Sequence, residues 1–266
     1  MISTFSFVRL LSARRELVVE LIRRELRDRH EGQILGVLWA YGHPLLLMLL
    51  YTVLFAYVFP ARYGAGAGLQ DYSVSVLAGI VSWLAFQAAL VRAPTIFVGY
   101  ASLVKQIVFP IEILPIVATV ATFMSYVAGL GVAIGYSAWH GNMTWIVLAL
   151  PVLLACQAAG MIGVAFLLAT GGVVVRDLRE IVGLFCAVNL FATPVLYNPS
   201  NIPGWLEKVF LLNPFSYMVW CWQDLLYYGR IEHPIAWVVF PLGCGFVFLL
   251  GWRIFGRVRH FFGDSL

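Results

Sequence analysis

From Val37 to Phe59 the chain runs through 23 positions without a charged side chain. About 20 helical residues at ~1.5 Å each cross ~30 Å of hydrocarbon, so this stretch predicts a first membrane span, 37–59. The same apolar pattern recurs at 72–91, 111–138, 144–170 and 235–254. A further apolar stretch, 181–197, is shorter and runs into YNPSNIPG at 197–204. Beyond it, residues 203–226 are apolar and aromatic but interrupted at Asn213-Pro214. Each half is too short to span and suits a re-entrant segment. The pattern therefore predicts an all-α polytopic membrane protein with six transmembrane helices. Two short re-entrant helices, about 203–212 and 215–226, lie between spans five and six. A seventh span through 203–226 is the competing reading.

The polar stretches complete this plan. Residues 1–36 are the longest one, and within them Leu10, Leu17, Leu21, Ile22 and Leu26 recur at helical steps with charges between them. This suits an amphipathic helix over Leu10–Arg29, lying in the membrane interface or packed on its own protein. Charge continues to Glu31, unlike a cleavable signal peptide. Three units follow: residues 1–36, a transmembrane domain over 37–256, and a tail over 257–266. Residues 92–110 are too long for a tight turn and leave room for a short helix near Thr95–Ile107. Gly131 and Gly135 in the third span have the spacing that lets helices approach closely, either within the chain or between two copies.

Composition agrees, at 62% hydrophobic and 11% charged; soluble domains carry about a quarter charged residues. Of the 17 Lys and Arg, all but Arg62, Lys208 and Arg230 fall on one side if both termini share it. The positive-inside rule makes that side the cytoplasm. The four cysteines are widely spaced in apolar sequence and read as buried thiols, with a Cys221–Cys244 disulfide as the alternative. The His residues form no metal-ligand pattern.

No phosphate-binding GxxxxGK[ST] motif occurs, and no catalytic motif. The spans hold almost no ionisable group; Glu112 lies at the edge of the third, and Gln157 and Asn189 are the notable polar residues inside. Ion-coupled carriers need buried carboxylates, so the energy source points to a partner subunit. Aromatic residues make up 15% of the chain and crowd the region after span five. Trp and Tyr gather at membrane interfaces, but flat rings also pack on the C–H faces of sugars.

Four segments in order resemble the membrane subunit of type-2 ABC exporters, of the branch that exports lipid-linked polysaccharides such as O antigen, capsule and teichoic acid. They are LRDRHEGQILGVLWAYGHP at 26–44, LVKQIVFPIEILP at 103–115, VVRDLREI at 174–181 and NPFSYMV at 213–219. His30 is a departure, since family members often carry Tyr there. The resemblance implies a permease subunit in a bacterial cytoplasmic (inner) membrane, not an enzyme. It implies a homodimer bound to two cytoplasmic ABC ATPases, which hold the ATP and Mg; this chain itself would carry no cofactor and no metal. The ATPase-coupling residues would be Arg23, Arg27, Tyr100, Lys105 and Gln106. Tyr197, Phe215, Tyr217, Trp220 and Trp222 would line a glycan channel. Arg29, His30 and Trp39 would form the entry gate for the lipid carrier. The alternatives are a same-fold exporter of a drug or lipo-oligosaccharide, and a membrane-embedded glycan-processing enzyme. The enzyme would need a buried His or carboxylate pair, which the motifs do not supply.

Overall fold

In hydrocarbon no water is available to backbone groups, and a helix satisfies them internally. The computed structural model describes residues 13–28, 32–36, 38–54, 58, 69–100, 110–197 and 203–259, and it is helical throughout, with no strand among these residues. The helices are α1 (Arg15–Asp28), α2 (Leu38–Val53), α3 (Leu69–Arg92), α4 (Ile96–Gly99), α5 (Ile113–Ser125) and α6 (Val127–Trp139). They continue as α7 (Leu150–Val174), α8 (Leu178–Phe191), α9 (Gly204–Leu212), α10 (Pro214–Gln223) and α11 (Ala236–Val258).

Four helical stretches are long and apolar enough to cross a membrane: Ser73–Gly99, Ile113–Trp139, Trp145–Val174 and Ala236–Val258. They stand at the expected second, third, fourth and sixth spans. The helix at the expected first span is 16 residues long, and most of 55–68 lies outside the described residues. At the expected fifth span, 181–197, the helix is α8, which starts at Leu178 and ends at Phe191 after 14 residues. Pro194 explains the early stop, because the residue before a proline is driven out of helical geometry. Of the helix expected over Thr95–Ile107, the described part is the four residues of α4, which continue α3 through a 3₁₀ turn at Ala93–Thr95; residues 101–109 lie outside the described residues.

The third span breaks at Tyr126 between α5 and α6. Thr122 Oγ1 donates to Ala118 O at 2.7 Å and Ser125 Oγ to Ala121 O at 3.3 Å. Hydroxyls that bond back one turn compete with the ladder and bend helices.

α3 is the hub. It packs against α2, α5, α6, α7, α8 and α10, and its residues from Val76 to Leu90 supply much of the main core. The most extensive helix pair is α7 with α11, and glycine makes it possible. A Cβ at Gly163 would stand 2.6 Å from the backbone of Phe248, and one at Gly251 would collide with the carbonyl of Gly163. The expected pair Gly131 and Gly135 is different: both are exposed and meet nothing within 4 Å. Intrachain packing therefore uses other glycines. All four cysteines are free, so the Cys221–Cys244 bridge is absent.

α1 lies against α5 through Val18, Leu21, Ile113 and Val117. Its buried stripe is apolar except at Glu25.

Candidate functional site

Two regions gather the residues that the sequence singled out. The first lies where α1 meets the end of α3. Glu25 is buried, at 5% exposure, and receives Arg92 Nη2 on Oε1 at 3.0 Å. Tyr100 donates its hydroxyl to Oε2 of the same carboxylate. Arg92 also donates to Thr95 Oγ1, whose hydroxyl donates back to Arg92 O at 3.0 Å. Arg23 and Arg27 stand exposed on the other face of α1. Glu25 thus joins the amphipathic helix to the segment after α3. Its signal in the sequence was its place in the Val18–Leu21–Glu25 stripe, a carboxylate where the pattern calls for an apolar residue. Close to this region in sequence, Glu112 at the start of α5 receives Arg259 at the end of α11. Lys105 and Gln106 lie outside the described residues, as do Arg29 and His30. Trp39 is exposed at the start of α2, beside exposed Leu38.

The second region is built by α9, α10 and the turn before α11. Asn213 starts α10, its Oδ1 accepting from Phe215 N at 3.0 Å. Its amide also donates to Asn189 Oδ1 and Ala192 O, each at 2.8 Å, tying α10 to the end of α8. Tyr217 and Trp220 meet edge to face at 5.3 Å, and the Trp220 indole is parallel to the His233 ring at 5.3 Å. Tyr197 packs on Phe210 at 6.0 Å. Phe215 turns elsewhere, edge-on to Trp83 and Phe86. Trp222 is in the core at 2% exposure. Its indole donates to Gln157 Oε1 at 2.8 Å, and Gln157 Nε2 donates to Ser82 O at 3.1 Å. The five aromatics therefore form no single row: Tyr217 and Trp220 stand together, Tyr197 packs on Phe210, and Phe215 and Trp222 face inward.

A His–carboxylate pair with its carboxylate buried and its ring partly exposed, not evident from motifs, is present here. Asp224 is fully buried and accepts from His233 Nδ1 at 2.8 Å, His233 N at 3.0 Å and Trp237 Nε1 at 3.0 Å. Three donors fill the carboxylate and clamp the turn that returns the chain to α11. Gly229 makes the turn possible with φ +60°, where a Cβ would also stand 2.6 Å from Asn142 O. The partners are nine positions apart, and the interval opens with the π-helical turn Asp224–Tyr228.

The family model for the ABC-2 type transporter matches residues 16–227. The chain belongs to the ABC-2 type transporter family. It is a multi-pass membrane protein, and membership implies an ABC ATPase partner. The O-antigen export system permease protein RfbA of Myxococcus xanthus is 29% identical over 265 residues, covering 97% of this chain and 98% of that protein. The protein of the same name from Klebsiella pneumoniae is 23% identical over 254 residues, covering 94% of this chain and 95% of its own. In an ABC-2 transporter subunit, the clasp at Glu25 and the aromatic turn at Asp224 become the two regions to test.

Proposed function

We propose that the chain is the channel-forming transmembrane subunit of an ATP-driven exporter that moves a lipid-linked, O-antigen-like polysaccharide across the cytoplasmic (inner) membrane of a bacterium. The observation that carries this reading is the alignment, nearly end to end on both sides, with relatives named as O-antigen export permeases. In this reading α2 and α8 complete six spans with the four long helices, and α9 and α10 dip back from the outer side. Both termini are cytoplasmic. Residues 1–36 form an interfacial unit, 37–256 the transmembrane domain and 257–266 the tail.

Two copies enclose the channel, and two ATPases bind below. ATP and Mg belong to the ATPases, and this chain carries no cofactor. The exposed Arg23 and Arg27, with Tyr100, Lys105 and Gln106, form the surface that receives ATPase motion. The Glu25 clasp supports this, because it makes α1 and the segment after α3 respond together. The lipid carrier enters near Arg29, His30 and Trp39. The glycan passes the outer aromatics Tyr217, Trp220 and Tyr197. Phe215 and Trp222 hold the bundle behind them.

Reconstitution with the partner ATPase in liposomes tests the reading. Lipid-linked glycan should stimulate ATP hydrolysis and reach the far leaflet. Absence of both effects overturns it.

A further inference from the structure

A cavity of about 340 Å³ lies between α9, α10 and the turn before α11. Small-molecule sites begin near ~300 Å³, so it suits one or two sugar rings rather than a polymer. Its wall combines Tyr217 and Trp220 with Glu207, Glu232 and His233. We infer that this cavity is a binding subsite for a neutral pyranose ring of the exported glycan, an inference that rests on the export reading above.

The chemistry selects this ligand class. Carboxylates only accept hydrogen bonds, and sugar hydroxyls are abundant donors. The Glu207 carboxylate has no partner among the described residues, while Glu232 accepts from Arg230 at 2.8 Å and keeps further acceptor capacity. Two carboxylates in one wall repel anionic sugars. His233 faces Asp224 through Nδ1, which leaves its Nε2 for a further hydrogen bond. Tyr217 and Trp220 give the wall flat ring surface of the kind that packs on the C–H face of a sugar.

The wall is also held in place before any ligand arrives. Tyr217 OH donates to Leu211 O at 2.7 Å, and the Asp224 clamp fixes His233 against Trp220. Rings that need no reordering lose little entropy on binding.

The test uses the full chain with its ATPase partner in nanodiscs and saturation-transfer NMR. The probes are methyl β-glucopyranoside and its glucuronide. The neutral glycoside should receive saturation and the glucuronide about five-fold less or none, and Glu207→Gln or Tyr217→Ala should each lower the neutral signal about five-fold. Glu207 is exposed, so its variant keeps the fold. Trp205→Ala, an exposed aromatic outside this wall, should leave the signal unchanged. Equal signals from both probes, equal signals in the wild type and the wall variants, or a loss caused by Trp205→Ala each overturns the subsite. Binding without any glycan transport sinks the export reading and leaves the subsite standing. Transport without binding does the reverse.

Discussion

Arg92 donates from Nη2 to Oε1 of Glu25 across 67 positions of sequence, at 3.0 Å, and this contact fastens the amphipathic helix α1 to the end of α3. The carboxylate is nearly buried while the guanidinium remains one-third exposed. Removing one member of a fully buried pair costs ~3–5 kcal/mol, and exposed pairs contribute ~0–1 kcal/mol. The half-open geometry places this pair between them.

Glu25→Gln and Arg92→Gln should each destabilise the protein by about 1–3 kcal/mol, with a coupling of at least about 0.5 kcal/mol in the double-mutant cycle. Substrate-stimulated ATP hydrolysis should fall more than basal hydrolysis in either variant. Chemical unfolding in detergent and ATPase assays in liposomes read the two effects. Strict additivity, or unchanged stimulation, would remove the clasp from the coupling route.

Trp220 and Trp222 are two positions apart on α10 and do different jobs. Trp222 fills the acceptor of a buried glutamine, and a stranded buried acceptor costs ~1–3 kcal/mol. Trp222→Phe should therefore lower stability by about that amount, and adding Gln157→Leu should recover part of the loss. Trp220→Phe strands no partner and should act on glycan transport with a smaller effect on unfolding. Thermal unfolding of the three variants, beside a transport assay, separates them. Equal stability losses at both tryptophans would contradict the division.

The sequence showed this only in part, for reasons that the residues make plain. Charge-free runs marked the long helices because hydrocarbon tolerates few charges, and Asn213-Pro214 marked the joint between α9 and α10 because proline starts helices and asparagine caps them. The end of α8 was misplaced because apolarity continues past the point where Pro194 stops the helix. Aromatic content suggested a lining but could not say which ring faces in. Trp220 and Trp222 have the same chemistry, and only the position of Gln157, 65 residues from Trp222, distinguishes them. The Asp224–His233 pair was hidden because a π-helical turn and a left-handed Gly229 bring together residues that fit no motif spacing.

Glycine packing gives a third expectation. Gly163→Ala would place a methyl group 2.6 Å from the backbone of Phe248, which cannot move aside as a side chain could. Overpacking of this kind costs ~1–3 kcal/mol or more. Ala at Gly131 and Gly135 meets open space in the protomer and should gain up to ~1 kcal/mol of helix propensity each. Unfolding midpoints should fall for Gly163→Ala and hold or rise for the other two. A loss of cross-linked dimer in the Gly131 and Gly135 variants, with the protomer still stable, would identify that pair as a contact between copies.

Asp224 is the strictest test of the outer region. Its carboxylate takes three donors, and an asparagine has one acceptor oxygen with an NH₂ that must face a donor in place of the other. Hydrogen bonds to a charged group contribute ~1.5–3 kcal/mol, so Asp224→Asn should release the turn at 229–235 without unfolding the long helices. Amide exchange at His233 should speed up by about ten-fold or more, since ~1.4 kcal/mol is a factor of ten. The His233 ring would then leave Trp220, and neutral-sugar binding should weaken with it. Faster exchange with unchanged sugar binding would mean that the clamp serves the fold alone. Unchanged exchange at His233 would mean that the turn is held by its other anchors, the Ser137 hydroxyl on Leu226 O and the Thr144 hydroxyl on Gly229 O.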